Sequence, residues 1–174
     1  MPWRTSAENI ALPLELAKVP KKDRMPQVRK MLALVNLEAA ERKTPQQLSG
    51  GMRQRISIAR ALVHDPQVLL MDEPFGALDA QTRDMMNVEL QRVWMETRKT
   101  VVFVTHSVEE AIFLADRIVM LGTNPGHIHS ITQVDFPRPR TLEMVESDSF
   151  RSLAVELREQ IGAVQQPAAS GEIA

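Results

Sequence analysis

Val68-Leu-Leu-Met-Asp-Glu-Pro74 is the stretch whose reading decides the fold. Four apolar residues run without a break, with Pro66 ahead of them and the Asp72-Glu73-Pro74 turn behind. A second run, Val101-Val-Phe-Val104, stops at Thr105-His106, and a third, Ile118-Val-Met-Leu121, stops at Gly122. Short, continuous apolar runs bounded by turn residues read as strands buried on both faces. Helical spacings lie between them. Met86, Leu90 and Val93 follow Asp79 as an N-cap, and Ile112 and Leu114 follow a Ser107-x-x-Glu110 capping box. Strand, helix, strand, helix, strand predicts an α/β core whose parallel sheet is covered on both faces.

Upstream of this core the chain reads as helical. Thr5-x-x-Glu8 is a capping box for a first helix, which Pro13 is expected to kink or end. Val28, Met31, Leu32 and Val35 mark a second helix, and a polar connector from Lys43 to Gln47 contains Pro45. Gly50-Gly51 then reads as a break before a helix carrying Met52, Ile56, Ala59 and Leu62, which ends near His64-Asp65-Pro66. Downstream, Ile128 to Phe136 alternates loosely like an edge or hairpin strand, and Phe150, Leu153 and Leu157 suit a terminal amphipathic helix. The small, polar tail from Gln165 to Ala174 is expected to be disordered.

Composition sets the class. The 174 residues are 44% hydrophobic and 25% charged, which is ordinary for a globular domain. A net charge of -1 argues against a strongly basic nucleic-acid binder, so no nucleic-acid partner is expected. With no cysteine, a disulfide framework and thiolate metal sites are excluded. No apolar stretch approaches the roughly 18 residues of a spanning helix. Prolines and charges between Met1 and Lys22 break any apolar region of the kind a signal peptide needs.

In open α/β sheets, ligands sit beyond the carboxyl ends of the parallel strands. Asp72 and Glu73 leave the first strand there, and Thr105 and His106 leave the second. Asp72 could hold Mg²⁺, which prefers carboxylate and water oxygens. Glu73 could orient or deprotonate an attacking water, and His106 could donate to a phosphoryl oxygen. Equally, acidic residues at strand ends can do no more than cap the next turn. Leu48-Ser-Gly-Gly-Met-Arg-Gln54 puts Ser49, Gly50 and Gly51 at the start of a helix, where free N–H groups favour an anion. Ser49 could instead be only an N-cap, and the glycines only a turn.

Taken in order, Leu48-Ser-Gly-Gly-Met-Arg-Gln54, Val68-Leu-Leu-Met-Asp-Glu-Pro74, Gly76-Ala-Leu-Asp79 and Val104-Thr-His106 resemble the ATP-binding subunit of ABC transporters. They look like its signature motif, Walker B, D-loop and switch histidine. Pro2-Trp3-Arg4, Glu8-Asn-Ile-Ala-Leu-Pro-Leu14, the Asn124-Pro-Gly126 turn and Phe136-Pro-Arg-Pro-Arg140 resemble its nitrate, sulfonate and taurine importer branch. The resemblance implies a P-loop NTPase core bearing a helical subdomain. It implies ATP and Mg²⁺, with Asp72 as the metal-associated carboxylate, Glu73 as the base and His106 on the γ-phosphate. Ser49, Gly50, Gly51 and Gln54 would clamp the ATP of an opposite subunit, and Asp79 would lie at the dimer seam. Implied partners are a second ATP-binding subunit, transmembrane permease subunits and, indirectly, a solute-binding protein, at the cytoplasmic face of the inner membrane.

The phosphate-binding loop Gly-x-x-x-x-Gly-Lys-Ser/Thr is the departure from that pattern. None of the lysines follows a glycine, and glycines number only 7 in 174. The resemblance then places the start of the chain just past the family's Q-loop, within a sheet lacking strands, with apolar faces and an edge uncovered. Expected divisions are a helical subdomain over 1–50, the later part of the nucleotide-binding core over 51–140, a helix over 141–162 and a disordered tail over 163–174.

Overall fold

A computed structural model describes residues 1–123 and 125–165; Asn124 and residues 166–174, which hold most of the expected tail, lie outside the described residues. The chain forms two compact units, Met1–Val104 and Thr105–Ala174.

In the first unit, α1 (Ser6–Leu16) opens on the expected capping box. Thr5 Oγ1 accepts the Glu8 N–H at 3.2 Å, and the Glu8 carboxylate accepts the Thr5 N–H at 2.7 Å. Pro13 does not end the helix, which runs three residues further. Next come α2 (Lys21–Leu34) and α3 (Gly50–Leu62), and α1 packs against both. Ile10, Leu14, Val28, Leu32, Ile56, Ala59 and Leu62 are buried, the residues that the helical spacing points inward. Gly50 and Gly51 are not a break before α3: both are helical, with Ser49 as the N-cap.

Few glycines are needed because other residues take the left-handed positions. Lys18, Asn36 and Asp65, just beyond α1, α2 and α3, have φ of 57°, 54° and 56°. Glycine is the usual helix stop because it carries no Cβ penalty there.

The strands β1 (Val68–Asp72) and β2 (Thr100–Val104) pair in parallel, with Val68 opposite Thr100 and Asp72 opposite Val104. The crossover helix α4 (Ala80–Thr97) connects them. Leu69 and Met71 are buried, and Phe75 packs on Phe103 with ring centroids 5.7 Å apart. The opposite face is open, which corrects the expectation of a sheet covered on both sides. Leu70 is 75% exposed, and Val68, Val102 and Val104 are about half exposed. Apolar residues occupy both faces of these strands, but the described residues supply helices to one face only.

The second unit holds α5 (Val108–Leu114), β3 (Arg117–Gly122), β4 (His127–Gln133) and α6 (Asp148–Gln165). Ile118–Leu121 does not extend the parallel sheet. It lies in β3, which pairs antiparallel with β4, only four residues further along the chain. The hairpin reading is therefore realised over His127–Gln133, and residues 134–136 of the expected strand lie beyond it. Val108, Ile112, Val134, Phe150, Ala154 and Leu157 form the core of this unit, with Phe136 stacked on Phe150 at 5.8 Å. Helix α6 continues to Gln165, so residues 163–165 are helical rather than part of a disordered tail.

Arg140 ties the end of α5 to the segment after β4. Its guanidinium is buried and donates to the carbonyls of Ile112 and Ala115 at 2.7 Å, Phe113 at 3.1 Å and Val134 at 3.3 Å. Burial pushes its pKa down to about 10, which leaves it charged at neutral pH.

Candidate nucleotide site

Strand pairing places the acidic pair. Asp72 closes β1, and Glu73 comes next with φ 42°, a left-handed backbone that side chains disfavour. Two main-chain bonds hold it there: the Glu73 N–H donates to the Val104 carbonyl at 2.9 Å, and its own carbonyl accepts the Gly76 N–H at 3.2 Å. Both side chains are exposed at the carboxyl end of the parallel pair. The Asp72 carboxylate has no hydrogen bond or ion pair among the described residues, leaving its oxygens open to a hard cation. No group of three or more potential ligands forms among the described residues. This donor set fits Mg²⁺ held by one carboxylate, water and phosphate, and does not fit an all-protein cage.

The Ser49 segment and the Gly76–Asp79 segment meet within the first unit. A Cβ built on Gly50 would lie 3.1 Å from Leu78 Cδ2, and one on Gly51 would lie 3.2 Å from Thr82 Cγ2. Hence the glycines let the first turn of α3 approach the start of α4 closely. Ser49 is exposed, and its hydroxyl accepts the Met52 N–H at 3.3 Å. Gln54 lies half-buried in α3. Asp79 caps α4 by accepting the Thr82 N–H at 2.9 Å, which holds its carboxyl below the usual carboxylate range. Thus Ser49 and Asp79 both have a capping role, and both remain on the surface.

His106 belongs to the second unit and is exposed. The residues around it are tied down. Thr105 Oγ1 donates to Glu110 Oε2 at 2.6 Å, and the Ser107 N–H donates to Thr105 Oγ1 at 3.0 Å. Ser107 caps α5 by accepting the Glu110 N–H at 3.3 Å. Only half of the expected capping box forms, because Thr105 takes the carboxylate that would have returned to the Ser107 N–H. In the sequence Glu110 reads as a cap alone, and Thr105, Leu78 and Thr82 carry no signal of a role.

A family model for ABC transporters matches residues 1–76. An uncharacterised ABC transporter ATP-binding protein of Methanocaldococcus jannaschii is 49% identical over 151 residues, covering 87% of this chain and 57% of that protein. The chain belongs to the ABC transporter ATP-binding family. Taurine import ATP-binding proteins of Pseudomonas putida and Escherichia coli are 51% and 46% identical, over 78% and 88% of this chain. They cover the importer branch that the sequence resembles. This ABC chain spans 52% and 58% of their lengths, a little over half of the relatives it matches. Among solved structures, a dimeric ATP-binding cassette in a post-hydrolysis state with ADP and Pi is 33% identical, with a TM-score of 0.62 over 79% of this chain and 60% of that one. The partial P-loop NTPase core is thereby established. No helix among the described residues is long and apolar enough to cross a membrane.

Proposed function

We propose that this chain is part of the ATP-hydrolysing subunit of an importer of the nitrate, sulfonate and taurine kind. The observation that carries the reading is the exposed Asp72-Glu73 pair, held at the strand ends by the Glu73–Val104 bond, in a chain about half identical to taurine import ATP-binding proteins. Glu73 takes the proton from the water that attacks the γ-phosphorus. His106 donates a hydrogen bond to a γ-phosphate oxygen as charge builds there. Asp72 would hold Mg²⁺, which supplies charge neutralisation at the phosphates.

Ser49, Gly50, Gly51 and Gln54 contact the nucleotide of an opposite subunit, and Asp79 lies at the seam between the two. The dimeric solved relative supports such a pair. The helices of residues 1–47 face permease subunits, through which a solute-binding protein is served, and the assembly sits at the cytoplasmic face of the membrane. These 174 residues contain no Gly-Lys pair, so the phosphate cradle is not among them. By themselves they bind ATP weakly and release phosphate negligibly, since phosphoryl transfer depends on positioning by that cradle.

The test uses two proteins: the 174 residues alone, and a chimera in which the phosphate-loop portion of the Escherichia coli taurine relative precedes them. The chimera should hydrolyse ATP, and Glu73→Gln should slow it by about 10²–10⁴-fold, the usual worth of a general base, with ATP binding kept. Phosphate release by the 174 residues that disappears in Glu73→Gln would overturn the inactivity. Full activity of the chimera bearing Glu73→Gln would overturn the assignment of the base.

A further inference from the structure

Resting on the reading of His106 as a phosphate contact, we propose that Thr105 and Glu110 form a positioning relay that fixes the main chain on both sides of His106. The direction of the relay is set by chemistry. The Ser107 N–H can only donate, so the Thr105 hydroxyl accepts from it at 3.0 Å and passes its own proton toward Glu110 Oε2 at 2.6 Å. Hydrogen bonds to a carboxylate of this length are among the stronger ones in proteins. Glu110 is only 5% exposed, on the first turn of α5.

The ordinary capping arrangement would have closed over Ser107 alone. Diverting the Glu110 carboxylate to Thr105 makes it reach across His106, so both residues flanking the imidazole are anchored to one helix. The far end of that helix is equally fixed. Arg140 takes the Ile112, Phe113 and Ala115 carbonyls, and Val108 and Ile112 are packed in the core of the unit. His106 is thus an exposed side chain whose two neighbours in the chain are both hydrogen-bonded to the helix that follows. Such preorganisation is what a phosphate contact needs, because misplacing a reacting group by about 1 Å can cost about 10²-fold in rate. Glu110 touches no substrate in this scheme and acts through the backbone of residues 105–107.

The test is amide exchange and imidazole nitrogen spectroscopy on the 174-residue chain, with His106 signals assigned by their loss in His106→Gln. Thr105→Val removes the acceptor of the Ser107 N–H and the donor to Glu110. It should speed exchange at Ser107 by about 5-fold or more, since a lost hydrogen bond is worth about 1 kcal/mol, and shift the His106 imidazole resonances. The Ile112 and Leu157 amides should hold their protection. Thr105→Ser, which keeps the hydroxyl, should restore both signals. Glu110→Gln keeps an oxygen that accepts from Thr105 and leaves the Ser107 N–H its acceptor, so it should change both signals less than Thr105→Val; if it fails to fold, Thr105→Val carries the test alone.

In the phosphate-loop chimera, Thr105→Val should lower kcat with KM for ATP unchanged, and Thr105→Ser should recover it. Unaltered Ser107 exchange and unaltered His106 resonances in Thr105→Val would overturn the relay, whatever the activity. Altered signals beside full activity of His106→Gln would leave the relay standing and remove the phosphate role of His106.

Discussion

The Glu73 N–H donates to the Val104 carbonyl at 2.9 Å, across the ends of two parallel strands. One bond therefore sets the place of the candidate base relative to its neighbouring strand. It also holds Glu73 at φ 42°, where an L side chain is strained by about 1–2 kcal/mol. A residue kept in such a conformation marks a site where position outweighs stability.

Replacing it should show that conflict directly. Glu73→Gly should unfold at higher denaturant than Glu73→Ala, by about 1 kcal/mol, because glycine accepts positive φ without strain. Lys18→Gly, at an exposed helix end with φ 57°, should give a similar gain over wild type and serves as the control outside the site. Urea melts of the 174-residue chain measure both. Equal midpoints for Glu73→Gly and Glu73→Ala would refute the strain.

Close packing of the two motif segments gives a second expectation. Gly51→Ala puts a methyl 3.2 Å from Thr82 Cγ2, and Thr82 is β-branched with little freedom at χ1. The variant should lose about 1 kcal/mol, in the range of a small overpacking. Thr82→Ser deletes that methyl and should return most of the loss, a coupling visible in a double-mutant cycle. Gly50→Ala meets the flexible ends of Leu78 and Arg53 and should be nearly neutral. Additive losses in Gly51→Ala with Thr82→Ser would show that the two positions are not in contact.

Asp79 gives the pH dependence. Its folded pKa is lowered, chiefly by the Thr82 N–H, so the folded state favours the ionised carboxyl. That contribution is present above the unfolded value near about 4 and is lost as pH falls through the lower folded value. Melting temperatures of wild type and Asp79→Asn, taken from about pH 6 down to pH 2, should therefore converge at the acid end. A gap that stays constant across this range would mean that the bond at Asp79 does not depend on its charge.

How far the sequence could be read depended on the range of the interactions. Local signals held: the Thr5 and Asp79 caps, the helical spacing of Val28 and Leu32, and the hairpin strand after Ile128 all formed as expected. Partner choice between strands was harder. Ile118–Leu121 has the same apolar run as Val101–Val104, and nothing within it says that its ladder is antiparallel. The candidate site was legible only as residue types at strand ends and helix starts. Two of its features were not: the left-handed backbone of Glu73, which a glutamate does not advertise, and the diversion of Glu110 from a cap to Thr105.

The uncovered sheet face gives the last expectation. Leu70 is 75% exposed, and Val68, Val102 and Val104 about half, all on one face of β1 and β2. Parallel sheets are ordinarily buried on both faces, and two strands alone are marginal. Covering a side chain of this kind contributes about 1.5–3 kcal/mol when burial is complete. The relatives are about one and a half times as long as this chain, and the part of them that it does not match is the cover we propose. The 174 residues alone should therefore bind a hydrophobic dye and self-associate, while the phosphate-loop chimera should do neither. Leu70→Lys with Val102→Lys should suppress both effects in the 174 residues and, in the chimera, should lower stability by several kcal/mol through an unpaired buried charge. If the chimera tolerates both lysines without loss, this face stays in water there too, and the cover does not exist.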